Sequence, residues 1–114
     1  MKQFIKVMKA LSDPSRVKIL KILQSKGLCV YEIKTLLGLA QPTISKHLKL
    51  LEDAGLVESH KDKLWVNYRL ASGADNVYAC TALQNLQGWL DDDPEIKSLL
   101  LVVPIIDRAN ICNE

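Results

Sequence analysis

The segment that most constrains the fold is residues 41–55, whose apolar and polar residues recur with the period of an amphipathic helix. Ile44, Leu48 and Leu51 have the i, i+4, i+7 spacing of one buried stripe. The opposite face begins with short hydrogen-bonding and cationic side chains, namely Gln41, Thr43, Ser45, Lys46, His47 and Lys49. The pattern predicts a helix whose exposed face can meet DNA, because cations and a helix N-terminus favour phosphate.

Within this face, different side chains suit different parts of a duplex. Gln, Ser, Thr and His can form hydrogen bonds with base edges, so the base-contact candidates are Gln41, Thr43, Ser45 and His47. Lys46 and Lys49 are candidates for phosphate. Both acids of the segment, Glu52 and Asp53, lie in the last turn, where negative charge opposes the helix dipole. We expect them to keep that end of the helix away from the phosphates.

A shorter apolar pattern precedes this helix. Residues 30–37 place Val30, Ile33, Leu36 and Leu37 on one side, and Gly38 begins a three-residue turn. A short helix, a glycine-containing turn and a polar-fronted second helix predict a helix-turn-helix over residues 30–54. A plain antiparallel helix pair is the alternative, but it would not explain the basic, acid-free front of the second helix.

After the second helix the period changes to two. Residues 56–60 and 64–70 alternate as strands do, and the segment Lys61-Asp62-Lys63 is expected to join them. Gly55 stands where a left-handed helix end is expected. The pattern predicts a β wing over 56–70, with Lys61 and Lys63 placed to contact the phosphate backbone.

Five short segments form a joint pattern that is more specific than any of them alone. They are ALSDPSRVKIL at 10–20, LCV at 28–30, QPTISKHL at 41–48, GLV at 55–57 and WVNYRL at 65–70. Together, over about residues 5–70, they resemble the ArsR family of metalloregulatory repressors. The resemblance implies a dimeric winged helix-turn-helix repressor that binds a palindromic operator in double-stranded DNA and leaves it when an inducer binds.

The expected fold is mostly α with a small β-hairpin, a winged helix-turn-helix in the order four helices, two strands, two helices. Ser12 or Asp13 caps the second helix, with Pro14 at its first position. The first helix has an apolar stripe of Phe4, Ile5, Met8 and Leu11. The fifth helix, predicted over 75–90, has a stripe of Val77, Ala79, Leu83, Leu86 and Leu90 with Trp89 beside it.

Stripes on terminal helices have few partners left in a chain of 114 residues. Residues 1–12 and 72–112 are therefore predicted to form the interface of an isologous homodimer. Residues 95–110 are expected to form a short helix, a kink at Pro104 and a second turn that covers the dimer helices.

Composition and charge agree with a single DNA-binding domain. Residues 1–70 carry a net charge of +7 and residues 71–114 one of −5, which directs one part of the chain toward nucleic acid. No apolar run approaches the roughly 18 to 20 residues of a membrane span, and lysines interrupt the first turns where a signal peptide would be apolar. An odd number of cysteines, three, favours a reducing compartment. We expect a cytoplasmic protein with no membrane partner.

Catalysis has little support in the sequence. The two histidines, His47 and His60, lie in the proposed recognition helix and hairpin, with no Ser or Cys spaced as a nucleophile beside them. The acidic run 91–93 precedes Pro94, so a solvated loop at a helix start explains it better than a metal site. We therefore expect no enzyme and no required cofactor.

The candidate inducer ligands are the three thiols, in the order Cys29, Cys112 and Cys80. Cys29 begins the third helix, where backbone amides favour a thiolate. Arsenic- and cadmium-responsive members of the family have Cys-Val-Cys here, whereas this chain has Cys29-Val30-Tyr31. As(III) or Sb(III) is the candidate inducer because both prefer three thiolates. Cys112 is at a chain end that can reach a partner, and Cys80 is most readily explained as a small core residue.

Other inducer chemistries stay open. Zinc-sensing relatives use Asp and His on the fifth helix, and because residues 75–89 contain no histidine we do not expect a zinc site there. A redox or persulfide sensor would join Cys29 to Cys80, which requires their Cα atoms within about 7 Å. A winged-helix module that senses nothing and acts as an architectural protein is the third alternative.

Overall fold

Side chains from most of the helices meet in one apolar core, and the elements around it follow the predicted winged helix-turn-helix. The computed structural model describes residues 1–72 and 75–106. The elements are α1 (Lys2–Leu11), α2 (Pro14–Leu23), β1 (Leu28–Cys29), α3 (Val30–Leu37), α4 (Gln41–Asp53), β2 (Val57–Asp62), β3 (Trp65–Leu70), α5 (Val77–Leu86) and α6 (Pro94–Val102), followed by a 3-10 turn at Val103–Ile105.

Polar side chains determine where three of the helices begin. Of the two predicted caps of α2, Asp13 is the one used: it accepts a hydrogen bond from the Arg16 amide at 3.1 Å. Pro14 opens the helix, as predicted. Asn76 accepts from the amides of Tyr78 and Ala79, so α5 begins at Val77 rather than at Asp75. Asp93 caps α6 in the same way.

A third strand was missed by the sequence reasoning. Leu28 and Cys29 form β1, which pairs antiparallel with β3 in a sheet of order β1-β3-β2. Cys29 lies opposite Asn67. Two residues are too few to show a period of two, so only the partner strand reveals this element. Because of β1, the wing sheet is joined directly to the start of α3.

The predicted hairpin exists, but its turn was misplaced. Pairing continues through Lys61 opposite Val66 and Asp62 opposite Trp65, which leaves only Lys63 and Leu64 in the loop. Lys61 is thus a strand residue. A two-residue hairpin loop favours a left-handed backbone, and Lys63 adopts it with φ of 58°. No glycine marks this position, which is why the sequence suggested a longer loop.

The stripe of α5 packs inside the protomer, contrary to the prediction that it forms the dimer contact. Ala79, Leu83 and Leu86 are buried in the core, while Val77 and Leu90 at the ends of the predicted stripe are exposed. The helix itself ends at Leu86, four residues before the predicted end. An α-helix turns about 100° per residue, so Val77, two residues before Ala79, points away from the buried face, and Leu90 lies beyond the end of the helix.

A separate apolar face remains on the outside of α1 and α5. Val7 and Ala10 are the α1 residues that enter the core, and Phe4 and Met8 of the predicted stripe are about two-fifths exposed. The Phe4 ring meets the edge of Tyr78 at a centroid distance of 5.5 Å. We call this the α1/α5 face; a groove of about 540 Å³ runs along it, lined by Phe4, Met8, Leu11, Val77, Tyr78, Thr81, Ala82, Asn85 and Trp89.

The sequence predicted that α6 covers the dimer helices. In the structure α6 packs against α2 instead. Lys18 and Glu95 form an ion pair across this contact, and Ile96 of α6 is buried. Val103, at the start of the 3-10 turn, is buried in the core. The kink at Pro104 is confirmed, because α6 gives way to a 3-10 turn there. The rest of the predicted 95–110 segment lies outside the described residues. In the described ranges, none of the helices has both the length and the hydropathy that crossing a bilayer requires.

Lys21 is a fully buried cation in the middle of α2. Its Nζ donates to the carbonyl oxygens of Leu86 at 2.7 Å and Trp89 at 2.8 Å and to the carboxylate of Asp91 at 2.8 Å. An ammonium has three N–H donors, so all of them are satisfied. Asp91 is therefore an ion-pair partner, which the sequence did not predict, while Asp93 caps α6 at the helix start that the sequence did predict. Lys21 fixes the end of α5 and the left-handed turn at Leu90, with φ of 66°, against α2.

We predict that Lys21→Met lowers the free energy of unfolding by about 2 to 3 kcal/mol, because two carbonyls lose a charged donor in a buried place. Urea denaturation followed by circular dichroism measures this. Asp91→Asn is the control, with an expected loss below about 1 kcal/mol, since this carboxylate is about half exposed. Equal losses from the two variants would contradict the assignment of the stability to the two carbonyl contacts.

Candidate nucleic-acid interface

The polar face of α4 is turned outward over its whole length. Ile44, Leu48 and Leu51 are buried, as predicted, which fixes the rotation of the helix about its axis. Of the predicted DNA contacts on this helix, Gln41, Thr43, Ser45, Lys46 and Lys49 are exposed. Lys49 pairs with Asp53 at 3.3 Å across one helical turn, and both groups are exposed. Such a pair is weak in water, so Lys49 can exchange Asp53 for a phosphate.

The first turn of α4 has no capping side chain. Its N-cap residue is Ala40, and no acid lies in the first turn. By contrast, α2, α5 and α6 are capped by Asp13, Asn76 and Asp93. An uncapped helix start keeps backbone amides available for an external acceptor, and the helix dipole favours an anion there. The turn before it is left-handed at Gly38, with φ of 69°, as a glycine C-cap predicts.

His47 differs from the other predicted contacts, because it is only partly exposed and has a protein partner. Its Nδ1 lies 3.2 Å from Nη1 of Arg16. Sequence reasoning missed Arg16, although one signal was present: a cation in the first turn of α2 opposes the helix dipole, which suggests a specific partner. Burial acts to raise the pKa of Asp13, but the Arg16 amide and guanidinium outweigh it and hold that pKa below its usual value.

The wing carries the two predicted lysines on its outer part. Lys61 on β2 and Lys63 in the turn are exposed, and Leu64 beside them is 93% exposed. The base of the wing is tied to α4 by a hydrogen bond of 2.9 Å from Ser59 Oγ to Glu52. Glu52 therefore also anchors the wing to α4, a contact that the sequence did not predict. Its expected role in keeping this end of the helix away from phosphates stays a prediction. Burial and the charge of Glu52 raise the pKa of Tyr68 on the neighbouring strand.

The C-terminal end of α4 is also fixed to the rest of the protein. Gly55 has φ of 78°, as predicted, and lets the chain enter β2 without a linker. The Asn76 amide donates to the Ala54 carbonyl at 3.1 Å, which ties the end of α4 to the start of α5. Recognition helix, wing and α5 thus have a fixed relative position in the protomer.

The structure does not favour the thiolate form of Cys29 that the sequence predicted. Cys29 is 1% exposed, as the last residue of β1 and the N-cap of α3. Its amide donates to the Glu32 carboxylate at 2.9 Å. Burial, with the negative charge of Glu32, raises the pKa of the Cys29 thiol despite its backbone hydrogen bonds. The partial charge of the helix start is too weak to offset these effects.

The other two candidate thiols are less well defined. Cys80 lies on α5 and is half-buried, so it is more accessible than the prediction of an inert core residue implied. Cys112 lies outside the described residues. Within residues 1–72 and 75–106, no three His, Cys, Asp or Glu side chains are grouped so that they could hold a metal ion.

The chain is similar to known proteins. A family model described as "Bacterial regulatory protein, arsR family" matches residues 13–59. The arsenical resistance operon repressor of Escherichia coli (strain K12) is 43% identical over 68 residues, which is 59% of this chain and 58% of that protein. The transcriptional repressor SdpR of Bacillus subtilis (strain 168) is 31% identical over 84 residues, 74% of this chain and 84% of that protein.

Among solved structures, a similar one is the homodimeric winged helix-turn-helix DNA-binding domain from Mycobacterium bovis, determined by NMR. It has a TM-score of 0.64 and 27% identity, and the match covers 82% of this chain and 86% of that one. These proteins are described as transcriptional regulators, repressors or DNA-binding domains, and none of the three as an enzyme.

We predict that iodoacetamide labels Cys29 more slowly than Cys80 in the native protein at pH 8, because the raised pKa keeps the Cys29 thiol protonated and its sulfur is buried. Peptide mapping by mass spectrometry separates the sites.

A thiol with a raised pKa in the folded state stabilises the fold below its unfolded pKa and ceases to do so at higher pH. The free energy of unfolding should therefore fall above about pH 9, and less so in Cys29→Ser. In the labelling experiment, faster reaction of Cys29 than of Cys80 would contradict the raised pKa and support a reactive thiolate at Cys29.

Proposed function

Because the chain belongs to the arsR family of bacterial regulatory proteins, we propose that it is a homodimeric repressor that binds double-stranded operator DNA and is released by a thiol-binding inducer. The observation that carries the DNA-binding part is the front of α4, a basic and acid-free first half on a helix with no capping side chain. Residues 30–54 would serve as the helix-turn-helix and 56–70 as the wing.

Each part of this surface has a distinct task on a duplex. Gln41, Thr43 and Ser45 face outward from the first turns of α4, at the end of a recognition helix that reaches base edges. Lys46 and Lys49 flank them, and Lys61 and Lys63 extend the cationic surface along the wing. Phosphate contacts supply affinity and register, while base contacts supply sequence preference. The bond between Ser59 and Glu52 keeps the two sets in register.

The α1/α5 face supports the dimer part of the proposal. Phe4, Met8, Tyr78 and Trp89 expose apolar surface on a groove that the protomer does not fill. A second copy is the proposed occupant because the similar Mycobacterium bovis domain is a homodimer and an isologous contact uses one patch twice. Residues 1–12 and 72–112 would then contain the dimer segments. Sedimentation as a monomer at micromolar concentration would contradict this part.

As(III) or Sb(III) is the proposed inducer, with Cys29 as the first ligand. Support comes from the position of Cys29, which is the last residue of β1 and the N-cap of α3 and directly precedes the helix-turn-helix. A metalloid bonded to its sulfur would need the β1–β3 pairing to open and would shift α3 against α4. A difference of about 2 to 3 kcal/mol between the two conformations would lower operator affinity by tens to over a hundredfold. Cys112 and Cys80 are the proposed further ligands.

A thiol redox or persulfide sensor is the second candidate function. It is favoured by two free thiols on different elements, Cys29 and Cys80, in a part of the chain where no three-ligand group is found among the described residues. Such a sensor would use a disulfide or polysulfide link in place of a bound ion. An architectural module that senses nothing would show no release by any thiol reagent.

We predict that Lys61→Ala and Lys63→Ala weaken binding to operator and to random duplex alike, each lowering the slope of log K against log salt by roughly one unit. Fluorescence anisotropy at several salt concentrations measures this. Lys97→Ala on α6, outside the proposed interface, is the matched control. In contrast, Gln41→Ala, Thr43→Ala or Ser45→Ala should relax preference at single operator positions by about 1 to 3 kcal/mol. If a variant with both Lys61→Ala and Lys63→Ala kept the salt slope of the unmodified protein, the hairpin would not act as a wing that contacts phosphates.

The inducer is tested by titrating the repressor–operator complex with arsenite, antimonite, zinc, cadmium and a persulfide donor. We predict release by arsenite and antimonite. Cys29→Ser should keep operator binding and lose release, because serine also caps a helix but does not bind As(III) as thiolate does. Cys112→Ser should weaken release and Cys80→Ser should affect it least. Normal arsenite release from Cys29→Ser would refute this ligand assignment, and release by the persulfide donor alone would favour the redox sensor.

A further inference from the structure

One side chain, Arg16 at the start of α2, contacts both α1 and α4. Its Nε donates to the Ala10 carbonyl at 2.9 Å and its Nη2 to the Lys9 carbonyl at 3.1 Å. Its Nη1 lies 3.2 Å from Nδ1 of His47 on α4. The guanidinium therefore satisfies two carbonyls in the last turn of α1 and has one corner left for the recognition helix.

The contact with His47 has only one possible direction. A guanidinium donates hydrogen bonds and has no acceptor, and it stays charged at every ordinary pH. Nδ1 of His47 must therefore be the acceptor, so it carries no proton. In the neutral ring the single N–H is then at Nε2. The partner on α2 thus determines which nitrogen of a recognition-helix residue can donate.

We propose that Arg16 is a positioning residue for operator recognition: its contact with Nδ1 selects the His47 tautomer with the N–H at Nε2 and holds that donor at a set place relative to α1. The proposal rests on the proposed function in so far as α4 meets DNA. A ring N–H donor fits base-edge acceptors such as O6 and N7 of guanine or O4 of thymine. The cytosine and adenine amino groups, which are themselves donors, do not fit it.

The geometry also explains why an arginine, and not a lysine, suits position 16. The guanidinium is planar and presents its donors as a rigid fork, so two bonds to α1 hold the third donor in place before any DNA arrives. The Arg16 amide is itself bound by Asp13 at 3.1 Å, which fixes the start of α2. Because α1 also carries Phe4 and Met8 of the α1/α5 face, Arg16 links that face to the recognition helix.

The first test needs no DNA, so its outcome is independent of the proposed function. Ring nitrogen shifts of His47 are measured by NMR on the full chain above the pH where histidine protonates. We expect His47 to be in the Nε2–H form alone, and His60, exposed on β2, to serve as the reference with both forms populated. A proton on Nδ1 of His47, or the same mixture as His60, would overturn the proposal.

The second test compares operator with random duplex in the same buffer. His47→Ala should lower operator affinity about tenfold and leave random-duplex affinity unchanged, because a donor to a base edge is lost without a change in phosphate contacts. His47→Gln, which keeps a donor at the end of the side chain, should recover most of the loss. Native operator affinity in His47→Ala would overturn the proposal whatever the Arg16 variants do.

Arg16→Lys separates positioning from charge. It keeps the cation but loses the fork, so random-duplex affinity should stay and operator affinity should fall by about the same tenfold. The double variant with His47→Ala should show no further loss, since both changes remove one interaction. Additive losses would overturn the coupling between the two residues. If the unmodified protein bound neither duplex, the proposed function would fail while the NMR result stood.

Discussion

The burial of one stripe of α4 is the constraint on which the functional surface depends. Ile44, Leu48 and Leu51 are almost entirely removed from water, and each stabilises the fold by roughly 2 kcal/mol relative to exposure. A helix held in this way cannot rotate about its axis without exposing that stripe. The polar side chains on its other face are therefore presented outward by the core itself. Recognition and folding use opposite sides of the same thirteen residues.

Polar contacts then fix the helix at its middle and at its C-terminal end. Arg16 holds its middle from α2, Ser59 contacts Glu52 from the wing, and Asn76 holds the Ala54 carbonyl from α5. Each is a single contact of modest strength, and together they set the position of α4 against three neighbouring elements. Lys21 does the same for the turn after α5, where a buried ammonium bonds to the backbone. The core sets the orientation and these contacts set the position.

Much of the architecture could be predicted because it follows from local pattern. The bounds of α3, the capped start of α2 at Pro14 and the left-handed glycine at 55 depend on residues within a few positions of each other. The features that were missed depend on contacts that local sequence does not show. Strand β1 is defined by its pairing with β3, Glu52 is bound by Ser59, and burial raises the pKa of the Cys29 thiol. Of the site, the exposed face of α4 was predictable, but the contact of His47 with Arg16 was not, since the two residues are 31 positions apart.

The location of Cys29 has a consequence for how fast the protein can respond. Its sulfur is enclosed as long as β1 remains paired with β3 and α3 keeps its first turn. Any reagent that acts through this thiol must wait for a local opening of these elements. At high reagent concentration the rate of reaction then reaches a plateau equal to the opening rate, which is a property of the fold and not of the reagent. Two reagents of very different affinity would show the same maximal rate at this sulfur.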